Sequence, residues 1–157
     1  MNMKSLLALI LIFIMFIQLS PAQSGSAVPN ETAVEEVVLS FFNAMRDSDS
    51  SAMEAYLAND ATLHTVVVSE EGKMMLRQTE IEAFKNSVAQ SEAGSLDEQL
   101  TSLTVHMDGN LSTAWMDYNF YYNGEFSHCG VNTMNLMQTE EGWKIFSIVD
   151  TRRTEGC

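Results

Sequence analysis

Positive charge is scarce in this chain. Its 157 residues carry 8 lysines and arginines against 21 acidic side chains, a formal net charge of −13. A surface this acidic repels nucleic acid and anionic membrane faces, so neither is expected as a partner. The plain reading of that charge is solubility outside the cell. Cysteine is nearly missing too, with only Cys129 and Cys157. They are too far apart for a redox motif and too few for a metal site. The three histidines, His64, His106 and His128, are scattered without closely spaced carboxylates, so no metal is expected. No serine sits in a nucleophile turn and no glycine-rich loop is built to cradle phosphate. Nucleophilic hydrolysis and nucleotide binding are therefore poor fits, and no cofactor is expected. Long apolar runs are also missing, apart from Leu6 to Ile17. That run is about 12 residues, short of the roughly 20 a membrane-spanning helix needs.

What surrounds the run gives it a meaning. Lys4 precedes it, and Ser20-Pro21-Ala22 follows with small residues where a signal peptidase looks. Residues 1–22 read as a secretory signal peptide, with Ala27 a second possible cut. Residues 23–29 read as a polar linker and 30–157 as one domain. The expected location is outside the cytoplasm, periplasmic or secreted, with no stable membrane anchor after cleavage. In such a compartment a pair of cysteines invites a disulfide.

The domain opens with helical periodicity. Val34, Val37, Val38, Phe41, Phe42 and Met45 recur at steps of three and four. Asp47 to Ser50 ends that helix and offers caps for a short second one over Ser51 to Leu57. Ala61 to Val68 is rich in β-branched residues and reads as a strand, and Met74 to Gln78 returns beside it. Thr79 and Glu82 form a capping box for a third helix running to about Gln90. Leu100 to Met107 reads as a strand. Three long strands close the chain between Thr113 and Asp150. They are separated by the hairpin signal Asn123-Gly124 and by Glu140-Glu141-Gly142. Three helices before an antiparallel sheet of about six strands make an α+β domain.

This order resembles the cone-shaped superfamily of nuclear transport factor 2, ketosteroid isomerase, scytalone dehydratase and SnoaL-like polyketide cyclases. The segment FFNAMRDSDSSAMEAYLANDATLH is similar to the family's opening helices and strand entry. Gly142-Trp143-Lys144-Ile145 is similar to its last-hairpin signature. The resemblance implies a cystatin-like cone: a curved sheet wrapped around helices, an apolar pocket at the open end, and dimerisation through the sheet. It narrows to exported members of the group, and its motifs mark the fold rather than a reaction.

The turns set an expected register. With a two-residue loop at Asn123-Gly124, Tyr122 pairs with Glu125. Counting back places Asn119 opposite His128, Asp117 opposite Gly130 and Trp115 opposite Asn132. The inward face then carries Trp115, Asp117, Asn119, His128, Gly130, Asn132, Met134, Leu136, Trp143, Ile145 and Val149. A three-residue last loop would instead turn Phe146, Ile148, Asp150 and Arg152 inward. The outward face would carry Met116, Tyr118, Phe120, Tyr122, Val131 and Phe146. So apolar a face asks for a cover, most simply a second copy in a homodimer.

On that register His128 and Asp117 are the candidate acid/base pair, because a carboxylate beside an imidazole can poise it near neutral pH. A structural histidine is the alternative. Asn119 and Asn132 are candidates to hold a ligand oxygen, and His64 to reach the cavity from the side. Trp115 and Tyr121 are candidates to stack on a flat ligand, with core packing the alternative, and Met134 to line a forgiving pocket. Cys129 begins one strand and Cys157 lies just past the end of the antiparallel next one. A tail of about five residues can fold back that far, so a Cys129–Cys157 disulfide is expected. It would hold Asp150 to Arg153 across the mouth of the cone, where Arg152 or Arg153 either meets an anionic ligand or, as the plainer reading, pairs with surface carboxylates. Two function classes follow. One is an exported, non-catalytic domain binding an apolar or aromatic small molecule. The other is a small lyase or isomerase using His128 and Asp117. A structural dimerisation module is the third reading.

Overall fold

The computed structural model describes residues 30–157. The expected signal peptide and linker lie outside the described residues. Three helices, α1 (Glu31–Arg46), α2 (Ser50–Glu54) and α3 (Ile81–Ala89), accompany seven strands. These are β1 (Leu57–Val68), β2 (Met74–Thr79), β3 (Leu96–Leu100), β4 (Thr104–Asp108), β5 (Leu111–Tyr122), β6 (Glu125–Thr139) and β7 (Gly142–Thr151). They form one sheet in the order β2-β1-β7-β6-β5-β3, with β4 also on β5. Only the β1–β7 pair is parallel. The expected α+β architecture is present, with seven strands rather than six.

The extra strand comes from splitting one expected element. Leu100 to Met107 is not a single strand: β3 ends at Leu100 and β4 starts at Thr104, and both pair with β5. Asp117 fixes the link between them. Its carboxylate accepts from the Ser102 hydroxyl at 2.7 Å, and its N–H donates back to that oxygen at 3.1 Å.

Side-chain caps start two helices. Asn30 accepts from the Ala33 N–H at 2.7 Å, and Asp49 from that of Ala52 at 2.9 Å. Both satisfy amides that a helix start leaves free. The capping box expected at Thr79 does not form. Thr79 is the last residue of β2, so Glu80 takes the cap position without a side-chain bond. α1 lays Val34, Val38, Phe41, Phe42 and Met45 on the sheet, against Ala114, Met116, Met134, Leu136, Trp143, Ile145 and Ile148.

Two bulges decide which residues face that core. Asn123 and Gly124 both have positive φ, 53° and 79°, and Tyr122 pairs with Glu125 as the hairpin signal requires. Tyr121 then pairs with Phe126, but Phe120 pairs with His128. Ser127 is the extra residue of a β-bulge, and every β5 partner beyond it moves by one. Met116, Tyr118 and Phe120 therefore share the inward face with His128, Asn132 and Met134. Trp115, Asp117, Asn119 and Tyr121 point to the other side. This corrects the expected register, because a shift of one residue exchanges faces. The last hairpin has a second bulge. Leu136 pairs with Ile145 but Asn135 with Ser147, leaving Phe146 over. Trp143 and Ile145 point inward before it, and Ile148 and Asp150 after it. Val149 turns outward.

The chain end is tied down. Cys129 and Cys157 form a disulfide closing a sequence separation of 28 residues. Chain-entropy arguments put such a loop closure at about 3 to 4 kcal/mol. Beside it Gly130 makes room for β7. A Cβ built there would lie 1.9 Å from the Thr151 carbonyl oxygen and 2.8 Å from Tyr118 Cε1. Gly130→Ala must push one of them away, and the expected result is a loss of about 2 kcal/mol, read as a lower urea midpoint at unchanged slope.

Candidate functional site

A cavity of about 240 Å³ opens between the helices and the inward face of the sheet. Its size follows from what the helices do not fill. Phe41, Phe42 and Met45 of α1 and Phe84 of α3 form the roof. Leu63, Leu96, Phe120, Met134 and Ile148 of the sheet form most of the floor. One wall is polar and carries Glu98, Asn132, Asp150 and Arg152.

Each polar residue arrives there by strand alternation. Glu98 is the central inward position of β3, between Leu96 and Leu100. Asn132 projects from β6 and donates from Nδ2 to Glu98 Oε1 at 2.5 Å. Asp150 is 5% exposed. Its carboxylate accepts from Thr65 Oγ1 at 2.6 Å and from Arg152 Nε at 2.7 Å. Tyr118 donates its hydroxyl to the Thr151 carbonyl at 2.9 Å.

Burial tunes these groups. It pushes the Glu98 carboxyl from 4.5 up to about 7, with Asp150 adding to the rise and the Asn132 hydrogen bond and Arg152 opposing it. Near neutral pH this carboxyl is therefore divided between its acid and carboxylate forms. Burial also raises the Tyr118 phenol, helped by the carboxylates of Glu98 and Asp150, so it stays a neutral donor. His128 moves the other way. Burial and the Arg152 guanidinium hold it below its ordinary 6.5, so it is a neutral imidazole at neutral pH. It lies edge-on to Tyr118, with centroids 5.8 Å apart, and beside Phe120 at 5.1 Å. Its Nδ1 is 3.0 Å from Ser127 Oγ.

Of the residues singled out in the sequence, the structure brings His128, Asn132 and Met134 to the cavity. It does not join them to Asp117, which lies on the opposite face and is engaged with Ser102. Asn119 and Tyr121 are on that face as well, and Trp115 is 49% exposed there. His64 lies between Leu63, which lines the cavity, and Thr65, which bonds Asp150, so it points away. Glu98 escaped the sequence reading because Leu96 to Gln99 was assigned to no element. The signal was present: Leu96, Glu98 and Leu100 alternate with Asp97 and Gln99 at a strand's period of two. Asp150 and Arg152 faced inward only in the alternative register of the last hairpin. Among the described residues no group of three or more His, Cys, Asp and Glu could hold a metal.

Comparison with known proteins fits this picture. The sequence family described as "Putative lumazine-binding" matches residues 29–149. The chain belongs to that family. Its fold is that of the nuclear transport factor 2-like superfamily, as the sequence resemblance implied. A nuclear transport factor 2-like protein of unknown function from Shewanella baltica superposes with a TM-score of 0.63 at 17% identity, covering 79% of this chain and 94% of its own. One with a cystatin-like fold from Novosphingobium aromaticivorans gives 0.63 at 13% identity, covering 99% and 92%. A protein from Streptomyces avermitilis, described as a putative dehydratase of the same superfamily, gives 0.59 at 17% identity, covering 78% and 94%. At these identities the likeness is one of fold. No curated protein matches the chain in sequence.

The Glu98 environment has a consequence for stability. Its folded pKa lies above its unfolded value, so its ionisation opposes folding. The stability this group leaves intact is full below about pH 4.5, and its ionisation erodes it as pH rises through about 7. Glu98→Gln keeps the acceptor for Asn132 and removes the charge. The variant should match the wild type below pH 4.5 and exceed it by up to about 3 kcal/mol at pH 8, in urea unfolding at both pH values.

Proposed function

We propose that this protein binds a small ligand in the cavity, with an apolar body against the aromatic roof and a neutral polar end against Glu98 and Asn132. The observation that carries this reading is the division of the cavity into an apolar floor and one polar wall. Such a division is how pockets combine affinity with orientation. The volume of about 240 Å³ suits a ligand of one or two rings. Membership of a family described by ligand binding supports the same reading.

A second reading rests on Glu98 alone. A carboxyl raised to about 7 inside a cavity can give or take a proton at neutral pH, as a general acid or base must. That favours a lyase or isomerase acting through Glu98, with Asn132 positioning it, in place of the expected His128–Asp117 pair. The description of the Streptomyces avermitilis relative as a putative dehydratase points the same way. The Glu98→Gln variant separates the readings: a binder keeps its ligand, whereas an enzyme stops turning it over.

Export remains part of the proposal. An intact Cys129–Cys157 bond suits an oxidising compartment, and the leader at residues 1–22 suits secretion. Self-association through the outer face rests on other residues than the sequence reading named. Met116, Tyr118 and Phe120 turn inward, while Leu111, Trp115 and Met137 are exposed on the outer face, as are Val68, Met74 and Leu76 of β1 and β2. Native mass spectrometry of protein recovered from an export compartment should show a chain beginning at Gln23 with both thiols oxidised. An unprocessed chain would overturn export, and the same spectrum reads monomer against dimer.

Naphthylethanol is a suitable probe of the cavity, being apolar, two-ringed and neutral. Saturable one-to-one binding is expected in calorimetry. Leu96→Trp should abolish it by filling the floor while thermal unfolding stays cooperative. Absence of binding to the wild type, or undiminished binding to a folded Leu96→Trp variant, would sink the reading.

A further inference from the structure

The cavity runs out into a second, open cleft. His128, Phe120 and Arg152 line both. Tyr122, Ser127, Arg153 and Thr154 complete the cleft. Two of the chain's few cationic residues therefore border the cleft at the cavity mouth, and none of the residues lining it is acidic.

The state of these arginines is informative. Elsewhere Arg46, Lys73, Lys85 and Lys144 each pair with a carboxylate. Arg152 engages Asp150 through Nε, with its side chain half-exposed. Arg153 pairs with no carboxylate among the described residues. Its Nε reaches only the Gly156 carbonyl, at 3.5 Å. In a chain with 21 acidic residues, a guanidinium left without a carboxylate beside a cavity is a distinct feature. Arg77 is also unpaired, but it lines neither the cavity nor the cleft.

The backbone under Arg153 is fixed. Its N–H donates to the Cys129 carbonyl and its carbonyl accepts from the Cys129 N–H, each at 2.9 Å. The adjacent Cys129–Cys157 bond holds the tail in that position. The guanidinium thus projects from an anchored strand end rather than from a loose terminus. Inside the cavity the charge sense is reversed, since Glu98 and Asp150 line the inner wall. An anionic group is repelled there and attracted at the mouth.

We propose that the cleft is a carboxylate-binding rim and that the cavity takes an apolar carboxylic acid, its body inside and its carboxylate on Arg152 and Arg153. This rests on the reading above that the cavity takes a ligand's apolar body; it moves the ligand's polar end from the Glu98 wall to the mouth and names its chemical class. Guanidinium groups suit the role because their N–H fork matches the two oxygens of a carboxylate. Ser127 and the neutral His128 add hydrogen-bonding groups without charge.

Naphthylacetate and naphthylethanol share a ring and a chain length and differ in charge. Both are titrated into the full-length protein at low ionic strength. The chain as a whole repels anions, so a preference for the acid reports a local site. Naphthylacetate is expected to bind wild type at least about tenfold more tightly than naphthylethanol. Arg153→Gln should shrink that preference to about twofold or less, Arg153→Lys should restore part of it, and naphthylethanol should bind all three alike. Equal affinities in the wild type, or a preference that survives Arg153→Gln, overturn the rim and leave the cavity reading standing. If neither probe binds, the cavity reading falls and the rim falls with it.

Discussion

Ser127 is one residue more than the β5–β6 ladder can pair, and the inner surface of this protein depends on it. A strand's side chains alternate, so one unpaired residue exchanges the two faces of everything beyond it. With the bulge, Tyr118 and Phe120 meet His128 over the cavity. Without it, Asp117 and Asn119 would face the helices, and two polar groups would be buried against Phe41 and Phe42. Burying polar groups without partners is costly. The outer side offers them better terms, with Ser102 and the β3–β4 link in place to receive Asp117. The bulge at Phe146 does the same for β7, turning Asp150 towards Thr65 and Arg152.

The polar wall shows how one apolar pocket holds two acidic groups in different ways. Asp150 is compensated by a hydroxyl and a guanidinium, both within hydrogen-bond reach. Glu98 has the carboxamide of Asn132 and a more distant guanidinium, which offset its burial only in part. Its charged form is the less favoured one at moderate pH. An ionisable group in this condition responds to whatever ligand arrives, accepting a proton from it or donating a hydrogen bond to it. The tail beyond β7 belongs to the same arrangement. Gly130 lets β7 approach, Tyr118 receives it, and the disulfide holds its end, so that Arg152 and Arg153 border the cavity.

Much of the fold could be read from the residues. The α1 stripe, the Asn123-Gly124 hairpin, the α+β order and the Cys129–Cys157 pairing all follow from short-range rules. Periodicity, turn chemistry and chain reach are local properties, and a single sequence displays them. Three candidate residues, His128, Asn132 and Met134, reached the cavity because they lie on β6 beyond Ser127, where the alternation assumed for that strand matches its actual inward face. The β5 candidates did not, since their facing was counted through an unbroken ladder. Glu98 was missed because β3 is five residues long, and two of its three central ones are acidic. Residue propensity does not mark such a stretch as a strand, and its period-two alternation is the one signal it carries.

The sequence by itself determined the acidic character of the chain, its class of fold and the residues available for a site. Only the tertiary structure decided which of them face one another. A bulge adds no distinctive residue type, since Ser127 and Phe146 look like ordinary strand members. Their displacement follows from the summed packing of the helices on the sheet. That sum, taken over residues far apart in the chain, places Glu98 beside Asn132 and leaves Asp117 on the other side.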